Sequence, residues 1–457
     1  MNIQGPQLFT PPRPRIPARD PGWYRFLAAA GTNALEIWPR EAYRQDILPG
    51  SLFGSRRFLI NSEEAIHRVL VENAANYRRT AAAIRILGPI VGEGLILSEG
   101  EQWRHQRRTI APALAPRSLP VLAQHVVSTA DEAIARLGAA AGKPVDLLAA
   151  MQLLALEIAS RSMFSLEMQQ HGAALRRLIA DFATRLGRPT VLDFILPASI
   201  PSPRDLARRR FRSRWIALMD EIIEARLQAP TSEKPRDLFD LLLTARDPET
   251  GAAFTRAQLR DQVATMIVAG HETTALTLFW SMYLLASAPA EQEKMAQEVR
   301  AIDFESGAPG EMLPKLPYTR AVVSEALRLY PPAFAIGRKA IAADRLGSVA
   351  VSGGDVIMIS PWVLHRHTRL WKDPDAFNPL RFVGRDPAAH RFAYMPFGAG
   401  PRVCVGAQFA LTEAGLVLAM LVQRFSIALA DDVPVIPRVI VTTQPDHPAP
   451  FRLRARN

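Results

Sequence analysis

Hydrophobic positions along the chain recur mainly three and four residues apart, the spacing of one helix face, whereas period-two alternation is confined to short stretches. After a proline-rich leader, Met1 to Gly22, β-like segments around Ser51 to Ile60 give way to long amphipathic helices, and Asn61 with Glu64 reads as a variant capping box. Thr255 with Gln258 forms a second capping box. The helix it opens runs without proline to Ser287, roughly 50 Å at 1.5 Å per residue, and must cross the whole core. Pro317 opens a helix that Pro331-Pro332 stops after Tyr330. Arg338 to Ile359 and Val439 to Thr443 read as strand-forming, and Gly406 to Gln423 as a buried final helix. The pattern predicts an α+β layout with helix in excess. No Gly/Ser-rich linker or repeat divides residues 23–457, so one unit is expected behind the leader 1–22.

Composition agrees with a large globular core: 48% of the 457 residues are hydrophobic and 22% charged. The leader has no apolar run of the ~20 residues that span a bilayer. The longest apolar stretch, Met266 to Ala288, carries His271 and Glu272 near its start, which is costly in lipid. A buried helix, no transmembrane anchor and a cytoplasmic location are therefore expected. The net charge of +11 suits acidic partners or anionic membranes. The basic residues are dispersed and no nucleic-acid module is present, so nucleic acid is not an expected partner. Arg208, Arg209, Arg210, Arg212 and Arg214 read as a solvated helix face, and His365 with His367 lack a third zinc ligand.

The single cysteine excludes an internal disulfide, a Cys-rich zinc site and an ordinary iron–sulfur cluster. A lone Cys is ordinarily a small buried hydrophobe. Cys404, however, stands in Phe397-Gly398-Ala399-Gly400-Pro401-Arg402-Val403-Cys404-Val405-Gly406, a glycine-bearing loop leading straight into a helix. Glycines let the backbone approach a flat ligand, and a helix N-terminus favours the thiolate. Neither Gly398-Ala399-Gly400, with Val403 following, nor Gly92-Glu93-Gly94, with Leu97 following, completes a dinucleotide fingerprint.

The spacing of Phe397, Gly400, Arg402, Cys404 and Gly406 resembles the haem-binding signature of the cytochrome P450 family. The resemblance implies that Cys404 is the axial thiolate of haem b (iron protoporphyrin IX), that Gly398 belongs to the haem loop, and that Arg402 pairs with a propionate. Further elements follow in the family's order. Glu325 and Arg328, three apart on one helix face, resemble the buried Glu-x-x-Arg that Arg381 completes, a structural cluster fixing the loop behind the haem. Ala269-Gly270-His271-Glu272-Thr273-Thr274 resembles the oxygen-side segment, where Gly270 admits dioxygen and substrate and Glu272 with Thr273 handles protons. Trp103 and Arg107, at i and i+4, and Arg338 resemble propionate ligands.

The fold so implied is mainly α, with a small β-rich region and haem between the long central helix and the Cys loop with its final helix. The implied reaction inserts one oxygen atom of dioxygen into a hydrophobic small molecule, by hydroxylation or epoxidation, while the other atom leaves as water. The chain ends at Asn457, about where the family's haem domain ends, so electrons are expected from a separate ferredoxin or flavodoxin with its reductase, to a monomeric enzyme. Ile84, Ile86, Leu87, Ile267, Ala269, Ala333, Phe334, Ile336 and Thr442 are the expected substrate pocket, and their side chains point to a lipophilic ligand. A peroxide-driven or isomerising haem-thiolate enzyme and a non-catalytic haem or ligand-binding protein are the rivals. The Glu272-Thr273 pair disfavours both.

Overall fold

The computed structural model describes all residues except 1–7, 20–21, 23–27, 30, 53, 141, 166–170, 197–199, 229–233, 305–308, 385–390, 440 and 457. Much of the leader 1–22, and the start of the unit expected to follow it, thus lie outside the described residues.

The helices that build the site are α1 (Ala81–Val91), α2 (Gly100–Ile110), α3 (Leu119–Ala139), α4 (Leu147–Phe164), α5 (Pro203–Gln228), α6 (Arg256–Ser287), α7 (Pro317–Leu329) and α8 (Ala407–Arg424). The Thr255 capping box is formed: its side chain accepts the Gln258 N–H at 3.2 Å, and Gln258 Oε1 accepts the Thr255 N–H at 2.9 Å. From Thr274 to Leu285 every residue of α6 is buried, because that stretch is apolar around its circumference and packs against α4, α7 and α8. Among the described residues, α4 is the one helix long and apolar enough to cross a membrane by length and composition, and here it packs on α3 and α6. Asp146 caps it by accepting the Ala149 N–H.

Three sequence expectations need correction. Ser62, not Asn61, caps the short helix Glu63–His67, because the Asn61 side chain donates to the carbonyls of Ala42 and Gln45 instead. Val439 to Thr443 is not one strand: Pro437–Val439 and Thr443–Pro445 pair antiparallel around a turn that contains Thr442. Arg208 is not solvated; it is buried and donates to Asp193, Asp205 and the Leu186 carbonyl, while Arg209, Arg210 and Arg214 remain exposed.

The β-rich region is a five-stranded sheet of β1 (Ile47–Leu52), β2 (Ser55–Ile60), β3 (Tyr77–Arg78), β4 (Ile336–Ala340) and β5 (Val356–Ile359), in the order β1-β2-β5-β4-β3. All its pairs are antiparallel except β2 with β5. A smaller sheet joins Pro144–Asp146, Pro450–Ala455 and Phe425–Leu429. One large hydrophobic cluster reaches from Ala34 to Leu453, and a second lies between α1, α4, α5 and the first half of α6.

Candidate functional site

A cavity of about 360 Å³ opens between the middle of α6, the loop before α8, α2 and the start of β4. Ala269, Gly270, Thr273, Thr274 and Thr277 form the α6 wall, and Phe397, Gly398, Arg402, Cys404 and Gly406 form the loop wall. Cys404 is accessible because it faces this cavity.

The loop owes its path to two glycines. Gly398 (φ 72°) and Gly400 (φ 73°) both occupy left-handed backbone, and a Cβ on Gly400 would strike the Leu70 carbonyl oxygen. The Cys404 N–H then donates to the Phe397 carbonyl at 2.9 Å, closing the loop. Arg107 Nη1 donates to the Val403 carbonyl at 2.7 Å and ties α2 to the loop. Burial pushes the Cys404 thiol up and outweighs the Gly406 N–H and Arg107, which pull it down. The helix N-terminus alone therefore does not produce the thiolate; a cation bound at sulfur would have to displace the proton.

Four guanidiniums, Arg79, Arg107, Arg338 and Arg402, line one part of the cavity. Burial lowers all four, Arg79 to about 9 and Arg338 to about 10, and mutual repulsion adds to the effect on those two. Glu99 accepts from Arg402 at 2.8 Å and from the Arg79 N–H at 2.9 Å. Arg402 also lies over the Trp103 ring, 4.5 Å from its centroid. Arg79 Nε is buried without a partner. Four cations around one carboxylate leave an excess of buried positive charge, which an anionic ligand would relieve. Haem meets these conditions: a thiol for the iron, apolar walls for the macrocycle, and guanidiniums for two carboxylates.

On α6, Thr273 Oγ1 donates to the Ala269 carbonyl at 2.5 Å, and Thr277 Oγ1 to the Thr273 carbonyl at 2.8 Å. Glu272 does not reach the cavity wall. Its Oε1 accepts from Thr442 Oγ1 at 3.0 Å and Gln444 Nε2 at 2.5 Å, and burial raises its pKa against those two bonds. A Cβ added at Gly270 would lie 3.2 Å from Met163 Cε, a close contact with the end of a flexible side chain.

The Glu325 cluster is complete. Arg328 Nε and Nη2 donate to the two Glu325 oxygens at 2.7 and 2.8 Å, and Arg381 Nε reaches Oε1 at 3.3 Å. The remaining Arg328 donors take the carbonyls of His365, Pro374 and Ala376. Its buried charge is fully partnered, which makes it tolerable. His365 extends the cluster toward the Cys loop, paired with the Arg328 carbonyl at 3.1 Å and accepting the Met395 N–H at 2.8 Å. Neither His365 nor His367 belongs to a group of three or more His, Cys, Asp or Glu suited to a metal among the described residues.

The expected pocket is only partly the observed one. Ala269, Ala333 and Ile336 line the cavity. Ile84 is 42% exposed on the outer surface, Ile86 and Leu87 sit off the cavity, Ile267 and Phe334 pack into the core clusters, and Thr442 serves Glu272. Gly400 supports the loop from behind. Sequence reasoning missed Arg79, Gln444 and Glu413. Only Glu413 carries a readable signal, as the sole charged residue of α8 before Arg424.

The chain matches the Cytochrome P450 family model over residues 46–448. It is 33% identical over 411 residues to a cytokinin hydroxylase of Arabidopsis thaliana, covering 86% of this chain and 78% of that protein. It is 34% identical over 343 residues to cyclooctat-9-en-7-ol 5-monooxygenase of Streptomyces melanosporofaciens, covering 74% of this chain and 73% of the relative. The crystal structure of a cytochrome P450DA heme domain superposes with a TM-score of 0.78 at 24% identity over 98% of both chains, which shows a shared fold.

Proposed function

The chain belongs to the cytochrome P450 family, haem-thiolate monooxygenases, and from that premise we propose that it hydroxylates or epoxidises a hydrophobic small molecule with dioxygen and electrons from a separate ferredoxin or flavodoxin system. Haem held by a cysteine thiolate supplies the oxygen-activating chemistry. The observation that carries the reading is one cavity walled by Cys404, by four guanidiniums and by the Thr273 face of α6.

In this reading Cys404 holds the iron, and Arg79, Arg107, Arg338 and Arg402 hold the propionates, with Trp103 fixing the Arg402 plane. Gly270 leaves room beside α6. Ala269, Ala333, Ile336 and the apolar side chains around them exclude water and select a lipophilic substrate. Thr273 keeps its hydroxyl on the cavity wall, and Glu272, whose burial favours the protonated form against two hydrogen bonds, stores a proton one residue away. The Glu325 cluster and His365 keep the Cys loop in register. The positive net charge favours an acidic electron carrier, and docking should weaken as salt rises. Residues 23–457 act as one monomeric haem domain in the cytoplasm.

The test is the absorption spectrum of the reduced, carbon-monoxide-bound protein. A strongly red-shifted Soret band is expected, lost in Cys404→Ser. A band at the position of histidine-ligated haems would overturn the reading. Turnover with peroxide alone, unchanged in Thr273→Ala, would overturn the dioxygen assignment.

A further inference from the structure

Residues 373–377 form a short bridge with two faces. On the inner face, Arg328 donates to the carbonyls of Pro374 at 2.6 Å and Ala376 at 3.0 Å, and Arg381 donates to that of Asp373 at 2.7 Å. Arg328 also takes the His365 carbonyl, and His365 accepts the N–H of Met395, two residues before Phe397. The outer face meets the leader. Arg13 Nη1 donates to Asp375 Oδ2 at 2.5 Å, and the Phe377 N–H donates to the Phe9 carbonyl at 2.8 Å. Asp373 has left-handed backbone (φ 47°), a conformation that residues other than glycine keep where their neighbours hold them.

Asp375 has a second duty. Arg366 is buried, lies 3.5 Å from the centroid of the Trp362 ring, and has in Asp375, 3.6 Å away, its one carboxylate partner among the described residues. Burial lowers Arg366 to about 10, and Asp375 acts against that. A guanidinium so placed is tolerable only while its counter-charge stays in position. The leader suits that task. Prolines at 11, 12, 14 and 17 fix φ and reduce the entropy lost on docking, Pro11 and Pro14 are buried, Phe9 and Ile16 pack against the large hydrophobic cluster, and the Pro17 carbonyl accepts the Arg40 N–H at 3.1 Å.

Building on the placement of haem at Cys404, we propose that Phe9 and Arg13 are positioning residues of the haem site: docked on residues 373–377, the leader holds Asp375 against Arg366 and keeps the carbonyls of that bridge on Arg328 and Arg381, behind the Cys404 loop. The half-exposed Arg13–Asp375 pair alone adds little. The strap works because it joins that pair to a backbone hydrogen bond and to apolar contacts, on a segment that proline has already stiffened.

The experiment compares the haem-loaded wild type with Arg13→Glu, Arg13→Lys, Arg15→Glu and a chain lacking residues 1–14. Arg15 is exposed and forms no ion pair among the described residues, so its reversal makes the same change in net charge without touching Asp375. In Arg13→Glu and in the shortened chain, deuterium uptake should rise over residues 373–381 and 395–404, and haem should pass to apoglobin about tenfold faster. Part of the carbon-monoxide band should also leave the thiolate position as these proteins are warmed. Arg13→Lys and Arg15→Glu should match the wild type. Wild-type uptake and haem release in Arg13→Glu, an equal response in Arg15→Glu, or a rise in uptake spread evenly over the chain would overturn the proposal, even if the shortened chain fails to fold. A wild type without the thiolate-type carbon-monoxide band would instead overturn the placement of haem at Cys404, while deuterium uptake would still report on the strap.

Discussion

Thr442 Oγ1 donates to Glu272 Oε1 at 3.0 Å, so a residue in the turn of a C-terminal hairpin steadies a carboxyl group at the centre of the longest helix described. Removing that donor in Thr442→Val should raise the proton affinity of Glu272 further. A hydrogen bond to a charged group is worth about 1.5–3 kcal/mol, so the pH dependence of coupling should move upward by about one unit. An unchanged profile would remove Glu272 from proton handling.

Thr273→Ala should form product about tenfold more slowly while reductant consumption continues and peroxide accumulates. Thermal stability should hardly change, because the lost hydroxyl bonds only the Ala269 carbonyl within its own helix. Parallel loss of product and of stability would assign Thr273 to structure alone.

Glu325→Gln leaves Arg328 buried beside a neutral partner, and breaking a buried pair in this way costs about 3–5 kcal/mol. Urea unfolding should show that loss, together with faster haem release, because Arg328 and His365 support the segment before Cys404. Arg381→Gln should cost less, since Arg381 makes the longer contact from a partly open position.

Burial lowers His271 from 6.5 to about 4, so the folded protein keeps it neutral while the unfolded chain binds a proton first. Its contribution is complete above pH ~6.5 and is lost as pH falls toward 4, amounting to on the order of 3 kcal/mol. His271→Gln, which can still donate to the Gln152 carbonyl, should flatten the fall of Tm with acid. An equally steep fall would place the acid sensitivity elsewhere.

Arg79→Leu should release haem to a scavenging apoglobin about tenfold faster, the loss of one charge-assisted bond to a carboxylate. Its Nε has no partner to forfeit in the protein itself, so the fold should tolerate the change.

The elements most legible in the sequence are those whose signals are local. Thr255 and Gln258 mark where α6 begins, proline marks α7, and five residues of one loop mark the cofactor. The pocket depended instead on which way each side chain points. Ile84 and Ile267 carry the right chemistry on the wrong side of their helices, and no local spacing shows which side meets a cavity assembled from distant segments. Arg79 follows a two-residue strand and is joined to Arg338 and Arg402 only by folding. For Cys404 the ligand itself is legible in its loop, whereas the desolvation that raises its thiol belongs to the assembled core and has no local signal.

The hairpin that holds Glu272 is anchored in turn by Asn33, which donates to the Pro437 carbonyl at 2.9 Å and accepts the Val439 N–H at 3.1 Å. None of Asn33, Thr442 and Gln444 touches the cavity. The two hydrogen bonds that temper the effect of burial on Glu272 therefore come from parts of the chain that do not shape the substrate's surroundings. Random variation or directed selection can retune proton supply there while leaving substrate choice intact, and can reshape the pocket without disturbing the acid. Such separable control suits a scaffold that must accept new substrates one substitution at a time.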